Sequence, residues 1–143
     1  MIVVADASVA LKWFFRARPA EQGVGPALAL LRGVADGSVS LLQPPHFVAE
    51  VAAVLAREAP ANALAWLADL MAIEMQVAAS DAVYQRAVRL SSQLGHHLFD
   101  TLYHAVALET RDAVLLTADE RYYRTASALG RIARLADFDS AGT

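Results

Sequence analysis

Ala113-Val114-Leu115-Leu116-Thr117-Ala118-Asp119-Glu120 is the stretch on which the fold turns. Ala113 to Thr117 runs without polar alternation, which predicts a strand buried on both faces. Asp119 follows directly and opens a helix to about Leu129. The N-terminus has the same form: Ile2 to Ala5 is a β-branched, apolar run closed by Asp6.

Working outward, Val39 to Leu42 reads as another strand, Met75 to Ala78 as a weak one and Arg131 to Leu135 as the site of a last short one. Helical spacing marks Ser8 to Phe15, Pro26 to Val34 (stopped near Gly37), His46 to Glu58, Asn62 to Met71 and Asp100 to Thr110. Ser80-Asp81 caps a further helix to Leu94, with Val83, Ala87, Leu90 and Leu94 on one face. Arg18 to Pro26 reads as a loop or a frayed helix start. Apolar strands alternating with helices predict an α/β protein with a mostly parallel sheet covered on both faces. Ligands of such folds bind at the carboxyl ends of the strands.

The 143 residues suit one compact domain spanning 1–143. With 57% hydrophobic and 19% charged residues, disorder is excluded. Cysteine is absent, which excludes disulfide frameworks, thiol catalysis and Cys-ligated zinc, and suits a reducing cytoplasm. Met1 to Asp6 has no basic region of a signal peptide, and no apolar run approaches the roughly 18 residues of a membrane span. The expectation is a soluble, cytoplasmic protein.

The acids carry the chemistry. Asp6, Asp100 and Asp119 stand at strand–helix junctions or helix starts. Each reads as a helix cap or as a group facing the crevice. Ser8 is an alternative cap that would free Asp6, and Thr117 one that would free Asp119. Glu50 lies beside the apolar stripe of Phe47, Val51, Val54 and Leu55, where a carboxylate needs a partner or a cation. The other acids read as ordinary: Asp81 a cap, Asp112 a turn residue, Asp36 a helix end, Glu58, Glu109 and Glu120 solvated, Asp137 and Asp139 in a polar tail. Four clustered carboxylates would repel one another without a cation. Their hard oxygens select Mg²⁺ or Mn²⁺, which suits phosphodiester hydrolysis by a metal-activated water.

Four blocks in order resemble PIN-domain proteins of the VapC toxin type: Val4-Ala5-Asp6-Ala7-Ser8-Val9-Ala10-Leu11-Lys12-Trp13, Glu50 in its helix, Phe99-Asp100-Thr101-Leu102-Tyr103-His104-Ala105, and Leu116-Thr117-Ala118-Asp119-Glu120-Arg121-Tyr122-Tyr123. The resemblance covers nearly the whole chain. It implies a three-layer α/β/α sandwich, Mg²⁺-dependent endoribonuclease activity with Mn²⁺ as a substitute, a homodimer, and a VapB-like antitoxin that blocks the site. Asp6, Glu50, Asp100 and Asp119 match the family's four acids, with Asp6 and Asp100 as the most direct metal ligands. Ser8 and Thr117 would support them. Tyr122 and Tyr123 stand where some relatives carry a further acid.

Eleven of the twelve basic residues are arginine, and Arg16, Arg121 and Arg124 are the candidates for an RNA path. The formal charge of −3 argues against nucleic acid if read alone, yet setting the four site acids aside leaves twelve basic against eleven acidic residues. His96-His97 sit in a loop, and His104, one turn after Asp100, is either structural or a substrate contact. Trp13, Phe14, Phe15 and Trp66 read as core or subunit contacts, with surplus apolar surface for a dimer seam and an antitoxin groove. Two alternatives remain: a PIN nuclease of RNA processing or decay, and a non-enzymatic Mg²⁺-binding phospho-acceptor receiver. The receiver pattern wants paired acids after the first strand and a lysine after the last; here there is Asp6 alone, and the one lysine is Lys12.

Overall fold

A computed structural model describes residues 1–138. Five strands form one parallel sheet: β1 (Ile2–Ala5), β2 (Ser40–Gln43), β3 (Gln76–Val77), β4 (Ala113–Thr117) and β5 (Ile132–Arg134), in the order β3-β2-β1-β4-β5. Seven α-helices connect them: α1 (Ala7–Phe14), α2 (Val24–Asp36), α3 (Phe47–Glu58), α4 (Ala63–Ala72), α5 (Asp81–Leu94), α6 (Leu98–Glu109) and α7 (Glu120–Ala126). Short 3₁₀ turns follow at Ser127–Leu129 and Leu135–Asp137.

The layers follow from handedness. From β1 the chain steps to β2 and then β3, so right-handed crossovers place α1 to α4 on one face. It then returns past β2 and β1 to β4 and on to β5, which places α5, α6 and α7 on the other. Packing agrees: α1 meets α2 and α3, and α3 meets α4, while α6 lies on β1, β2 and β4 with α5 behind it. The result is the expected α/β/α sandwich.

Val3, Val4, Ala5, Leu115 and Leu116 are fully or almost fully buried, as strands covered on both faces require. In β1 and β4, Ile2 pairs with Ala113 and Ala5 with Leu116. Asp6 and Thr117 therefore emerge side by side. This is the point where strand order reverses, the place where open α/β sheets form a crevice.

Several boundaries differ from the sequence reading. The helix predicted from Asp100 begins at Leu98, because His97 caps it through Nδ1, which accepts from the Phe99 backbone N–H at 3.0 Å. Ser80 alone caps α5, its hydroxyl accepting from Val83 N–H, while Asp81 occupies the first turn. The last helix is shorter than expected and ends in a 3₁₀ turn. Asp137 closes the second 3₁₀ turn rather than standing in a polar tail, and Asp139 lies outside the described residues. Glu58, Glu109 and Glu120 pair with Arg18, Arg86 and Arg134 at the surface, contacts that add little to stability.

Candidate active site

Asp6 caps α1 and also bonds across the sheet to Thr117. Its Oδ1 accepts from Ser8 N–H at 3.4 Å, and its Oδ2 from the Thr117 hydroxyl at 2.8 Å. Ser8 is not the cap: its hydroxyl accepts from Ala118 N–H at 3.2 Å and so ties the start of α1 to the end of β4. Burial, against the help of the Thr117 and Ser8 hydrogen bonds, lifts the Asp6 carboxyl from 3.8 to about 6; the charges of Asp100 and Asp119 add to the rise.

Thr117 also accepts from Asp119 N–H at 3.0 Å. Capping of α7 falls to Asp119 itself, whose Oδ1 accepts from Tyr122 N–H at 3.1 Å. One hydroxyl thus spans two of the four acids.

Glu50 is half-buried in the first turn of α3, next to the apolar stripe as the spacing predicted. Its Oε1 accepts from the Tyr103 hydroxyl at 3.1 Å, and His46 Nε2 lies 3.6 Å from Oε2. Burial first, then the charge of Asp6, raises the Glu50 carboxyl from 4.5 to about 7. Asp100 is raised too, by burial and by Asp119, against the pull of His96, His97 and His46.

Asp100 and Asp119 act on Asp6, Asp6 and Asp100 on Glu50, and Asp119 on Asp100, so the acids at the ends of β1 and β4 and on α3 and α6 share one electrostatic neighbourhood. The donors are hard carboxylate oxygens, which suit Mg²⁺ or Mn²⁺. Among the described residues, no group of three or more His, Asp or Glu side chains is placed to hold one ion. The fit is therefore one of donor chemistry and shared repulsion, not of a finished cage.

Four supports escaped the sequence reading. Tyr103, one turn beyond Asp100 on α6, anchors Glu50. Gln43, wholly buried, accepts from Ala5 N–H at 2.7 Å and donates to Ala5 C=O at 2.8 Å, pinning the residue before Asp6. A polar residue ending an apolar strand was the available signal. His46 donates through Nε2 to the Phe99 carbonyl at 2.8 Å and so clips α3 to α6, while its Nδ1 is buried without a partner. Tyr122, whose backbone N–H donates to Asp119, is buried and its hydroxyl bonds His104 at 2.9 Å.

His104 is fully buried and turns out to be structural, its other nitrogen donating to Gly130 C=O at 2.8 Å. Arg121 and Arg124 are exposed on α7, with no ion pair among the described residues. Arg16 lies beyond the far end of α1, roughly 15 Å along the chain from Asp6. There it borders a groove with Trp13, Phe14, Leu31 and Trp66. Trp13 and Phe15 are core; Phe14 and Trp66 stack at 5.9 Å along that groove. Among the described residues no helix is long and apolar enough to cross a membrane.

The sequence matches the PIN domain profile over residues 3–128. No curated protein matches it in sequence. Among solved structures, the fold is similar to a chain of VapBC-1 from nontypeable Haemophilus influenzae: 13% identity, 96% of this chain and 100% of that chain covered, TM-score 0.62. With the profile spanning all four acids, the receiver alternative falls, and the chain belongs to the PIN domain family.

Proposed function

We propose that the chain is a Mg²⁺-dependent endoribonuclease, the toxin of a type II toxin–antitoxin pair. The observation that carries this reading is the gathering of Asp6, Glu50, Asp100 and Asp119 about the sheet's reversal point, where burial and mutual repulsion hold the carboxyls of Asp6, Glu50 and Asp100 above their ordinary range. A divalent cation there would supply an activated water and stabilise the leaving oxygen. Asp6 and Asp100 are its most direct ligands, and Glu50 and Asp119 complete the set. Thr117 and Ser8 hold Asp6 and the end of β4 in register, and Tyr103 fixes Glu50. Arg121 and Arg124, exposed on the helix that starts at Asp119, meet the phosphate backbone.

The apolar groove of Phe14 and Trp66 suits an amphipathic segment of a VapB-like antitoxin, which also fits the VapBC-1 likeness. Remaining apolar surface, such as Tyr84 and Val88 on α5, suits a homodimer in the cytoplasm.

The test is cleavage of RNA with Mg²⁺ by the wild type and by Asp100→Asn and Asp6→Asn. Both variants should fold yet lose at least about 100-fold in activity. A folded Asp100→Asn variant with full activity and toxicity would overturn the reading.

A further inference from the structure

We propose that Phe99 is the stacking platform for an unpaired nucleobase beside the scissile phosphate. The inference rests on the ribonuclease reading above. Phe99 is a large apolar side chain that stays 48% exposed, and it immediately precedes Asp100 in the first turn of α6. That exposure is not looseness. Two imidazoles pack against the ring, His97 at 4.7 Å between centroids and steeply inclined at 73°, His46 at 5.0 Å and tilted by 38°, and His46 packs in turn on Tyr103 at 4.7 Å.

Its backbone is held as firmly. Phe99 N–H donates to His97 Nδ1, and its carbonyl accepts from His46 Nε2. Both bonds also fix the tautomers of the two rings. The aromatic side chain is thus set in place before any ligand arrives, so little ordering is lost on binding.

The neighbourhood selects the occupant. Asp100 and Glu50 lie beside this cluster, since His46 and His97 both act on Asp100 and His46 lies against Glu50. An acidic peptide is disfavoured next to those carboxylates. A nucleotide that lays its phosphate toward a cation on Asp100 carries its own flat π-face a few ångströms away. Bases within a duplex have no free face, whereas unstacked bases do.

The test uses the intact protein with Ca²⁺ replacing Mg²⁺, titrated into short single-stranded RNAs carrying 2-aminopurine at successive positions. Wild type should quench one position more than the others. Phe99→Ala should abolish that quench and weaken binding roughly 5- to 100-fold, and Phe99→Tyr should restore both. Unchanged melting of Phe99→Ala shows that the loss is local. Equal quenching and affinity in Phe99→Ala, or equal affinity of wild type for duplex and single strand, overturns the platform while leaving the nuclease reading standing. A Phe99→Ala effect confined to a protein partner, with RNA binding intact, also overturns it. If wild type neither binds nor cleaves any RNA, both readings fall together.

Discussion

Thr117 Oγ1 donates to Asp6 Oδ2 at 2.8 Å and accepts from Asp119 N–H at 3.0 Å, so one buried hydroxyl joins two acids from opposite ends of the chain. Thr117→Val keeps the shape and removes both bonds. It leaves the Asp119 N–H short of a partner and frees the Asp6 carboxylate to turn. Stability should fall by about 1–3 kcal/mol, read by urea unfolding. RNA cleavage should fall at least about tenfold, and Thr117→Ser should recover most of it. Wild-type cleavage by a folded Thr117→Val variant would show that the bridge is dispensable.

Glu50 makes stability depend on pH in an unusual direction. Its carboxyl titrates at 4.5 when unexposed to the fold and at about 7 in the native state, so the native protein holds the proton more tightly. Its contribution is fully present below about pH 4.5 and is lost as pH rises through 7. Glu50→Gln keeps the acceptor for Tyr103 and removes the charge. Without divalent metal at pH 8 it should be more stable than wild type by roughly 1–2 kcal/mol, with no gain at pH 4. Thermal melts of both proteins across that range check the sign.

The same repulsion predicts metal-linked stability. At pH 8, Mg²⁺ at about 100 times its dissociation constant should stabilise wild type by about 2.7 kcal/mol, a rise in Tm on the order of 5–10 °C. Asp100→Asn should lose most of that rise. A chelator should reverse it in wild type. An equal Mg²⁺ shift in Asp100→Asn would remove that residue from the ligand set.

Much of this was legible in the chain because local rules and the global fold agree. Ala113 to Thr117 and Ile2 to Ala5 are uninterrupted apolar strands, and Asp6 and Asp119 follow them where crossovers begin. Glu50 beside Phe47 and Val51 was visible as a misplaced charge. What periodicity did not carry is how one side chain serves two purposes. Asp6 and Asp119 each cap a helix with one oxygen, so capping does not exclude the site role proposed for them. Contacts between residues far apart in sequence, such as Gln43 on Ala5 and Tyr103 on Glu50, exist only once the sheet order is set. His97 began α6 earlier than expected because a histidine nitrogen took the role usually filled by Ser or Asp.

His104 and Tyr122 form the clamp that holds α7, and hence Asp119, against α6. The tautomer is fixed: Nε2–H donates to Gly130 C=O, so Nδ1 accepts from the Tyr122 hydroxyl. Gly130 presents that carbonyl from φ 77° and ψ −177°, a conformation open in practice only to glycine. Burial pushes the His104 imidazole below its ordinary value. Protonation therefore favours the unfolded chain, and this residue costs stability as pH falls below 6.5. That trend opposes the one from Glu50, so each must be read in its own variant. Tyr122→Phe should cost about 1–2 kcal/mol by leaving His104 Nδ1 unpartnered, and Gly130→Ala about 1–3 kcal/mol by backbone strain. Because Tyr122 N–H is also the donor to Asp119 Oδ1, Tyr122→Phe should retain that backbone bond and most of its cleavage activity. Gly130→Ala, which shifts the clamp itself, should lose activity together with stability. Unfolding curves and cleavage rates of the two variants, measured side by side, separate the hydroxyl's contribution from the placement of the helix.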